Sequence, residues 1–211
     1  MTEPDPDLTA RARIREAALR LFGEQGFDQA TIRSIADAAG VSSGLVRHHF
    51  GSKEALRDAC DAHLARLVER ISEQTRDGTT PGGNPTAVAL AAFAPYRGYV
   101  TRALVEGRAV PLFDHIVDAT ELWLAEADGK RPDQPSTPVG SRAAVLAAMS
   151  MAVGLLEQHV SRRLGVDLYS PAAGDLLARV LLDIYSHPLL SPEEAAALEA
   201  GLPGREEDPH E

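Results

Sequence analysis

Between residues 31 and 50 the chain reads TIRSIADAAGVSSGLVRHHF, and this stretch concentrates the side chains best suited to polar recognition. It carries hydroxyls at Thr31, Ser42 and Ser43, guanidinium groups at Arg33 and Arg47, and imidazoles at His48 and His49; the ammonium of Lys53 follows closely. Groups of this kind donate hydrogen bonds to anionic oxygens and base edges. Nothing comparable points to bond-making chemistry. The seven histidines (His48, His49, His63, His115, His159, His187, His210) include no HExxH and no Cys-His metal spacing. GxSxG, P-loop and GxGxxG patterns are absent as well, so the expectation is a non-enzyme without metal or cofactor. Cys60 is the only cysteine, which excludes an intrachain disulfide and fits a reducing cytoplasm.

Charge argues at first against an anionic partner, because the chain carries a net charge of −10. Its distribution reverses that reading for one region. From Thr9 to Cys60 there are eight basic residues against six acidic ones, whereas Asp61 to the end holds 13 basic and 22 acidic. The first quarter can approach a phosphate backbone while the remainder is repelled, which orients the molecule. The 44% hydrophobic content excludes a disordered chain, and with 5% aromatics the packing falls to Leu, Ala and Val. No apolar run approaches the ~18 residues of a membrane span. The acidic start, MTEPDPDLTARAR, lacks the apolar region of a secretory signal.

The elements that must position these side chains read as helices throughout, an all-α fold. Residues 1–8 are expected to form a mobile acidic tail, with Thr9 capping a helix to about Gln25 that ends at Gly26. Thr31 caps a short helix to Ala39, Gly40-Val41-Ser42 forms a tight turn, and Ser42 caps a third helix ending near Phe50. Two short helices around a glycine-containing turn make a helix-turn-helix, with Phe22, Phe27, Ile35, Val46 and Phe50 as core. Ser52 caps a long helix to about Thr75, and Asp77 to Pro85 reads as a loop. Helices of about 85–94, 96–107 and 111–128 follow, divided by Pro95 and Pro111, then a proline-rich segment from Gly129 to Gly140. Two longer helices span 141–164 and 170–187, and a capping box at Ser191 and Glu194 opens a last one to about Ala200. The domain reading is a DNA-binding head at 9–51, a helical domain at 52–200 and a mobile tail at 201–211.

The ordered combination LFGEQGF, TIRSIADAAGVS, HHF and SKEAL, within about Thr9 to Ala59, resembles the TetR family of regulators. The resemblance implies a dimer, a three-helix DNA-binding head and a variable C-terminal ligand-binding and dimerisation domain. It also implies release of the operator when a small molecule binds. Carried over position by position, Thr31 is a cap that also meets a phosphate, and Arg33 is a base or phosphate contact. Ser42, Ser43, Gly44 and Leu45 face the major groove at the start of the recognition helix; His48 and His49 meet the backbone, and Lys53 is a phosphate anchor. The family usually carries a tyrosine where this chain has Arg47, and a guanidinium there can hold a phosphate or read guanine. Plainer roles exist beside these: Thr31, Ser42 and Ser52 are sufficiently explained as caps, and His49 as a packing residue.

For the C-terminal half the residues expected around a cavity are Phe93, Tyr96, Tyr99, Phe113, His115, Trp123, Met149 and His159. Most aromatic and Met residues at helical spacing are simply core, so only some of these would meet an apolar or amphipathic effector. By resemblance, 141–164 and 170–187 form the homodimer interface, with Ala143, Ala147, Met151, Gly154, Leu177, Leu181 and Ile184 packing closely, although some of these faces can instead point into the monomer. Two-fold symmetry would place recognition helices about 34–36 Å apart on an inverted-repeat operator in double-stranded DNA. An activator or protein-responsive regulator of the same fold, and a dimeric scaffold that has lost DNA binding, remain as alternatives to a repressor.

Overall fold

Local hydrogen bonds start most of the helices. The Thr31 hydroxyl accepts from the Ser34 amide at 3.0 Å while the Ser34 hydroxyl accepts from the Thr31 amide at 3.0 Å. Ser42, Ser52, Ser170 and Ser191 cap in the same way, each satisfying an amide three residues on. The computed structural model describes residues 6–132, 135–187 and 189–202. Its helices are α1 (Pro6–Gln25), α2 (Ile32–Ala39), α3 (Ser43–Phe50), α4 (Lys53–Arg76), α5 (Pro85–Phe93), α6 (Arg97–Val105), α7 (Val110–Asp128), α8 (Val139–Leu155), α9 (Glu157–Leu164), α10 (Pro171–Ser186) and α11 (Pro192–Ala200). The fold is all-α, with no strand among the described residues.

Two boundaries differ from expectation. The first helix starts at Pro6, so Thr9 lies inside it and does not cap it; proline favours the first helical turn, where its missing N–H is no loss. The bulk of each expected terminal tail, residues 1–5 and 203–211, lies outside the described residues. The single helix expected over 141–164 is broken at Leu156, and α8 and α9 diverge by 74°. Composition explains the break: α8 is apolar and packs on α7, whereas α9 (EQHVSRRL) is polar and buries no residue. No single described helix is both long and apolar enough to cross a membrane.

α1 organises the first half, packing against α2, α4 and α6, while α3 leans on α2 and α4. Ile14, Ala18, Phe22, Ile35, Ala36, Val46 and Leu56 fill the space between them, with Phe27 and Phe50 partly buried at its edge. The same cluster continues along α4 through Leu64, Leu67 and Val68 to Tyr99 and Leu112, so head and C-terminal domain share one core. Beyond it, α8 packs on α7 and α10 on α5. Arg142 and Asp128 join α7 to α8 by a bidentate pair (3.1 and 2.5 Å), and Asn84 donates to Asp175 at 2.8 Å to join α5 to α10.

α1 and α6 cross so closely that a side chain does not fit at Gly23. A Cβ there would lie 2.7 Å from the Tyr99 amide nitrogen and 2.9 Å from the Gly98 carbonyl carbon, both backbone atoms. Gly23→Ala is therefore expected to force the helices apart and lower stability by about 1–3 kcal/mol, read from urea denaturation. An unchanged midpoint would show that the crossing is slack.

Candidate nucleic-acid interface and apolar cavity

The Gly40 turn decides how α3 is presented. Gly40 adopts φ 65, ψ 40, a left-handed conformation that ends α2, and the Val41 amide returns to the Ala36 carbonyl at 3.0 Å. α3 then starts at Ser42, with no acidic residue in its first turn to compete for its amides. Val46 is buried, so the helix turns its other faces outward: Ser42, Gly44, Arg47 and His48 are exposed, and Ser43 and Leu45 are half-buried. Thr31 and Arg33 are exposed on α2 and its cap. Arg47, His48 and His49 occupy the last turn of α3, where positive charge also suits the helix dipole. His49 is half-buried and edge-on to both His48 and Phe50.

Lys53 has a role that the sequence does not reveal. Its ammonium donates to the Phe27 carbonyl at 2.8 Å and the Ala30 carbonyl at 3.1 Å, and lies 4.3 Å from the centre of the Phe27 ring. Two of its three N–H groups thus tie the start of α4 to the α1–α2 turn, leaving one for any phosphate. Arg57 covers the same ring at 4.4 Å.

A cavity of about 280 Å³ lies among α4, α5, α6, α7 and α8, extending to Tyr169 before α10. Its walls are chiefly apolar, including Ile71, Leu90, Phe93, Val100, Leu112, Ile116 and Met151, with Thr101, Arg97 and Tyr169 among its few polar groups. Of the eight residues expected there, Phe93 alone lines it. Tyr96 lies in a cleft against α1, its hydroxyl 3.4 Å from His63 Nε2. Tyr99 is buried on the opposite face of α6 and donates to Asp61 at 2.5 Å; burial lifts the Asp61 carboxyl above its usual range against the pull of that bond. His115 and Trp123 line a separate open groove between α4 and α7, where His115 meets Glu69 at 3.2 Å and Trp123 packs on Tyr185. Phe113 and His159 line neither space, and Met149 is 62% exposed. Met151, two residues on and so about 200° around the helix, is the methionine that faces the cavity. The aliphatic lining of α6 recurs at i, i+1, i+4 (Val100, Thr101, Leu104), a periodic signal that weighting toward aromatics passes over.

Apolar surface also remains outside. Val145 (62%), Met149 (62%) and Leu182 (67%) are exposed on α8 and α10 with Ile184 and Tyr185. Ala143, Ala147 and Leu177, expected in a dimer interface, are instead buried within the chain, and Gly154 and Met151 line the cavity.

Residues 14–60 match the model of bacterial regulatory proteins of the tetR family. The transcriptional regulatory protein RaaS of Mycobacterium tuberculosis is 40% identical over 144 residues, 67% of this chain and 68% of that protein. The chain belongs to the TetR family. The transcriptional repressor AcnR of Corynebacterium efficiens is 41% identical over 70 residues, 33% of this chain and 37% of that one. Among solved structures, the fatty acid degradation regulator FadR of Bacillus halodurans superposes with a TM-score of 0.62 at 20% identity, covering 81% of this chain and 97% of that one. At that identity the likeness concerns the fold. The protein is therefore a TetR-family transcriptional regulator with an N-terminal helix-turn-helix and a C-terminal helical domain.

Gly44 separates what the fold needs from what a partner needs. It is exposed inside α3, and a Cβ there would meet only the Ser42 hydroxyl, at an ordinary 3.7 Å. A helical glycine costs about 0.5–1 kcal/mol against alanine. Gly44→Ala is expected to leave stability unchanged or raise it by up to about 1 kcal/mol while weakening duplex DNA binding. Lys53→Met should do the reverse in stability, lowering it by about 1–3 kcal/mol. Paired urea melts and DNA titrations check both; a Gly44→Ala protein with unchanged affinity would remove Gly44 from the interface.

Proposed function

We propose that this regulator is a homodimeric repressor that binds an inverted-repeat operator and releases it when an apolar or amphipathic small molecule enters the α4–α8 cavity. The observation that carries this reading is the double role of α6. Val100, Thr101 and Leu104 line the cavity, while Gly98 and Tyr99 touch the head at the α1 crossing and Arg102 donates to the Gly23 carbonyl at 3.2 Å. A ligand that alters the seat of α6 therefore acts directly on α1. Release requires that the ligand bind the DNA-incompetent arrangement more tightly, by the amount that operator affinity falls.

In this reading Ser42, Ser43, Gly44 and Leu45 bring the start of α3 into the major groove. Arg47 holds a phosphate or a guanine edge from the exposed side of that helix, Thr31, Arg33, His48 and His49 contact the flanking backbone, and Lys53 combines its structural role with one phosphate contact. The exposed α8 and α10 residues provide the dimer surface, since Val145 and Met149 on α8 and Leu182, Ile184 and Tyr185 on α10 leave large apolar side chains that a partner would cover. Repression is supported by the curated relatives named as repressors, AcnR and KstR2 of Rhodococcus jostii.

Selection from a random duplex pool at moderate salt tests the core claim. One inverted repeat should be enriched; enrichment of none would overturn it. Val145→Asp combined with Leu182→Asp should convert the dimer to monomer in sedimentation and lower operator affinity by about 100-fold or more, the loss expected when two half-sites bind independently. Thr101→Trp, which fills the cavity from α6, should retain operator binding yet lose release by any compound that acts on the wild-type protein. Retained release would place the effector elsewhere.

A further inference from the structure

A second, chemically different space opens between α1 and α4. It has a volume of about 390 Å³ and is lined by Arg11, Arg15 and Arg66, with Phe50 at one end and Ala12, Ala59 and Ala62 along its walls. Arg11 and Arg15 are four residues apart on α1, and Ala59, Ala62 and Arg66 recur at i, i+3, i+7 on α4, so two helical stripes face each other. The small alanines leave room between the guanidinium groups. No carboxylate lines the cleft among the described residues.

Of its three guanidinium groups, only that of Arg15 has a carboxylate partner among the described residues. Arg11 and Arg66 form no ion pair among the described residues. Arg15 meets Glu16 at 3.6 Å through Nη2, but its Nε is buried without a hydrogen-bond acceptor among the described residues, an arrangement that costs stability unless a ligand supplies one. Arg11 stacks on Phe50 at 5.4 Å, which holds its charge over the cleft. The field extends to His63 nearby, whose imidazole is held below its ordinary range first by burial and then by Arg15, with Arg66 and Arg70 adding and Glu16 opposing.

We propose that this cleft is a binding site for a free phosphorylated small molecule, its phosphate or diphosphate held by Arg11, Arg15 and Arg66. Guanidinium forks match phosphate oxygens bidentately, and the volume is within the range of small-ligand sites. The DNA backbone is a poor source of the same phosphate: Arg66 lies 13 residues beyond Lys53 on α4, about 20 Å along the helix from the end nearest α3. The site does not depend on the operator reading, and a bridging anion would tie α1 to α4 and raise the melting temperature.

Inorganic pyrophosphate is the probe, titrated calorimetrically into the full-length protein at constant ionic strength with chloride as the control. Saturable binding and a raised melting temperature are expected, weakened about tenfold or more in Arg15→Gln and in Arg66→Gln, the loss of one charge-assisted contact. Arg66 is exposed, so that variant keeps its fold and isolates the ligand effect. Absence of saturation above the chloride control, or affinity unchanged in both variants, overturns the proposal. A parallel loss of duplex DNA affinity in Arg66→Gln would also overturn it, by assigning the phosphate to the DNA backbone.

Discussion

Two helices pass with their backbones in contact where α1 crosses α6, and the coupling between the two halves of the molecule depends on that contact. Gly23 stands at the crossing because no side chain fits there, Gly98 faces it at ordinary van der Waals distance, and the Arg102 to Gly23 hydrogen bond closes the contact from the side. Close packing makes such a contact stiff: backbone atoms cannot yield as the end of a flexible side chain can. The Tyr99–Asp61 bond adds a second tie, between α6 and α4, buried enough to raise both groups above their ordinary pKa ranges. In the proposed mechanism, movement at the cavity face of α6 reaches α1 without a flexible intermediary.

α4 provides the second route. Its first residue is clamped by Lys53 to the α1–α2 turn, and Val68, Ile71 and Ser72, four to five turns later, line the cavity. One helix thus begins at the α1–α2 turn and runs on to the wall of the cavity. Because α4 and α6 both join cavity to head, and one continuous core lies between them, displacement of either must be accommodated by the other.

What was legible in the sequence follows the range of the interactions concerned. The caps at Thr31, Ser42, Ser52 and Ser191 are hydrogen bonds spanning three residues, and each is where local chemistry puts it, whereas Thr9, equally suited by type, lies inside α1. The helix-turn-helix was legible for the same reason, since Gly40, Ala36 and Val46 act within one short motif. The cavity was not, because its lining comes from helices whose rotation is set by distant packing. Phe93 was found and Met151 missed in favour of Met149, a residue on the far side of the same helix. The break at Leu156 was hidden because a single glycine, Gly154, is the only helix-disfavouring residue beside it, and the change from apolar α8 to polar α9 separates what stays packed from what turns away.

Glycine and charge together show where the chain is shaped for something outside itself. Gly23 is required by the fold, whereas Gly44 is not: nothing within the chain would collide with a side chain there, and the helix would gain from one. A residue that costs the fold and occupies open space at the start of an exposed helix suits a partner that approaches the backbone closely. The charge distribution limits which partner that is. The acidic C-terminal half repels a polyanion, so DNA can approach only along the head, and the orientation that places α3 against it is also the one that electrostatics leaves open. The arginine cleft runs from Phe50 at the end of α3 to Arg66, between three and four turns along α4, away from the start of α3, and in the proposed reading its charge serves an anion small enough to enter between the helices.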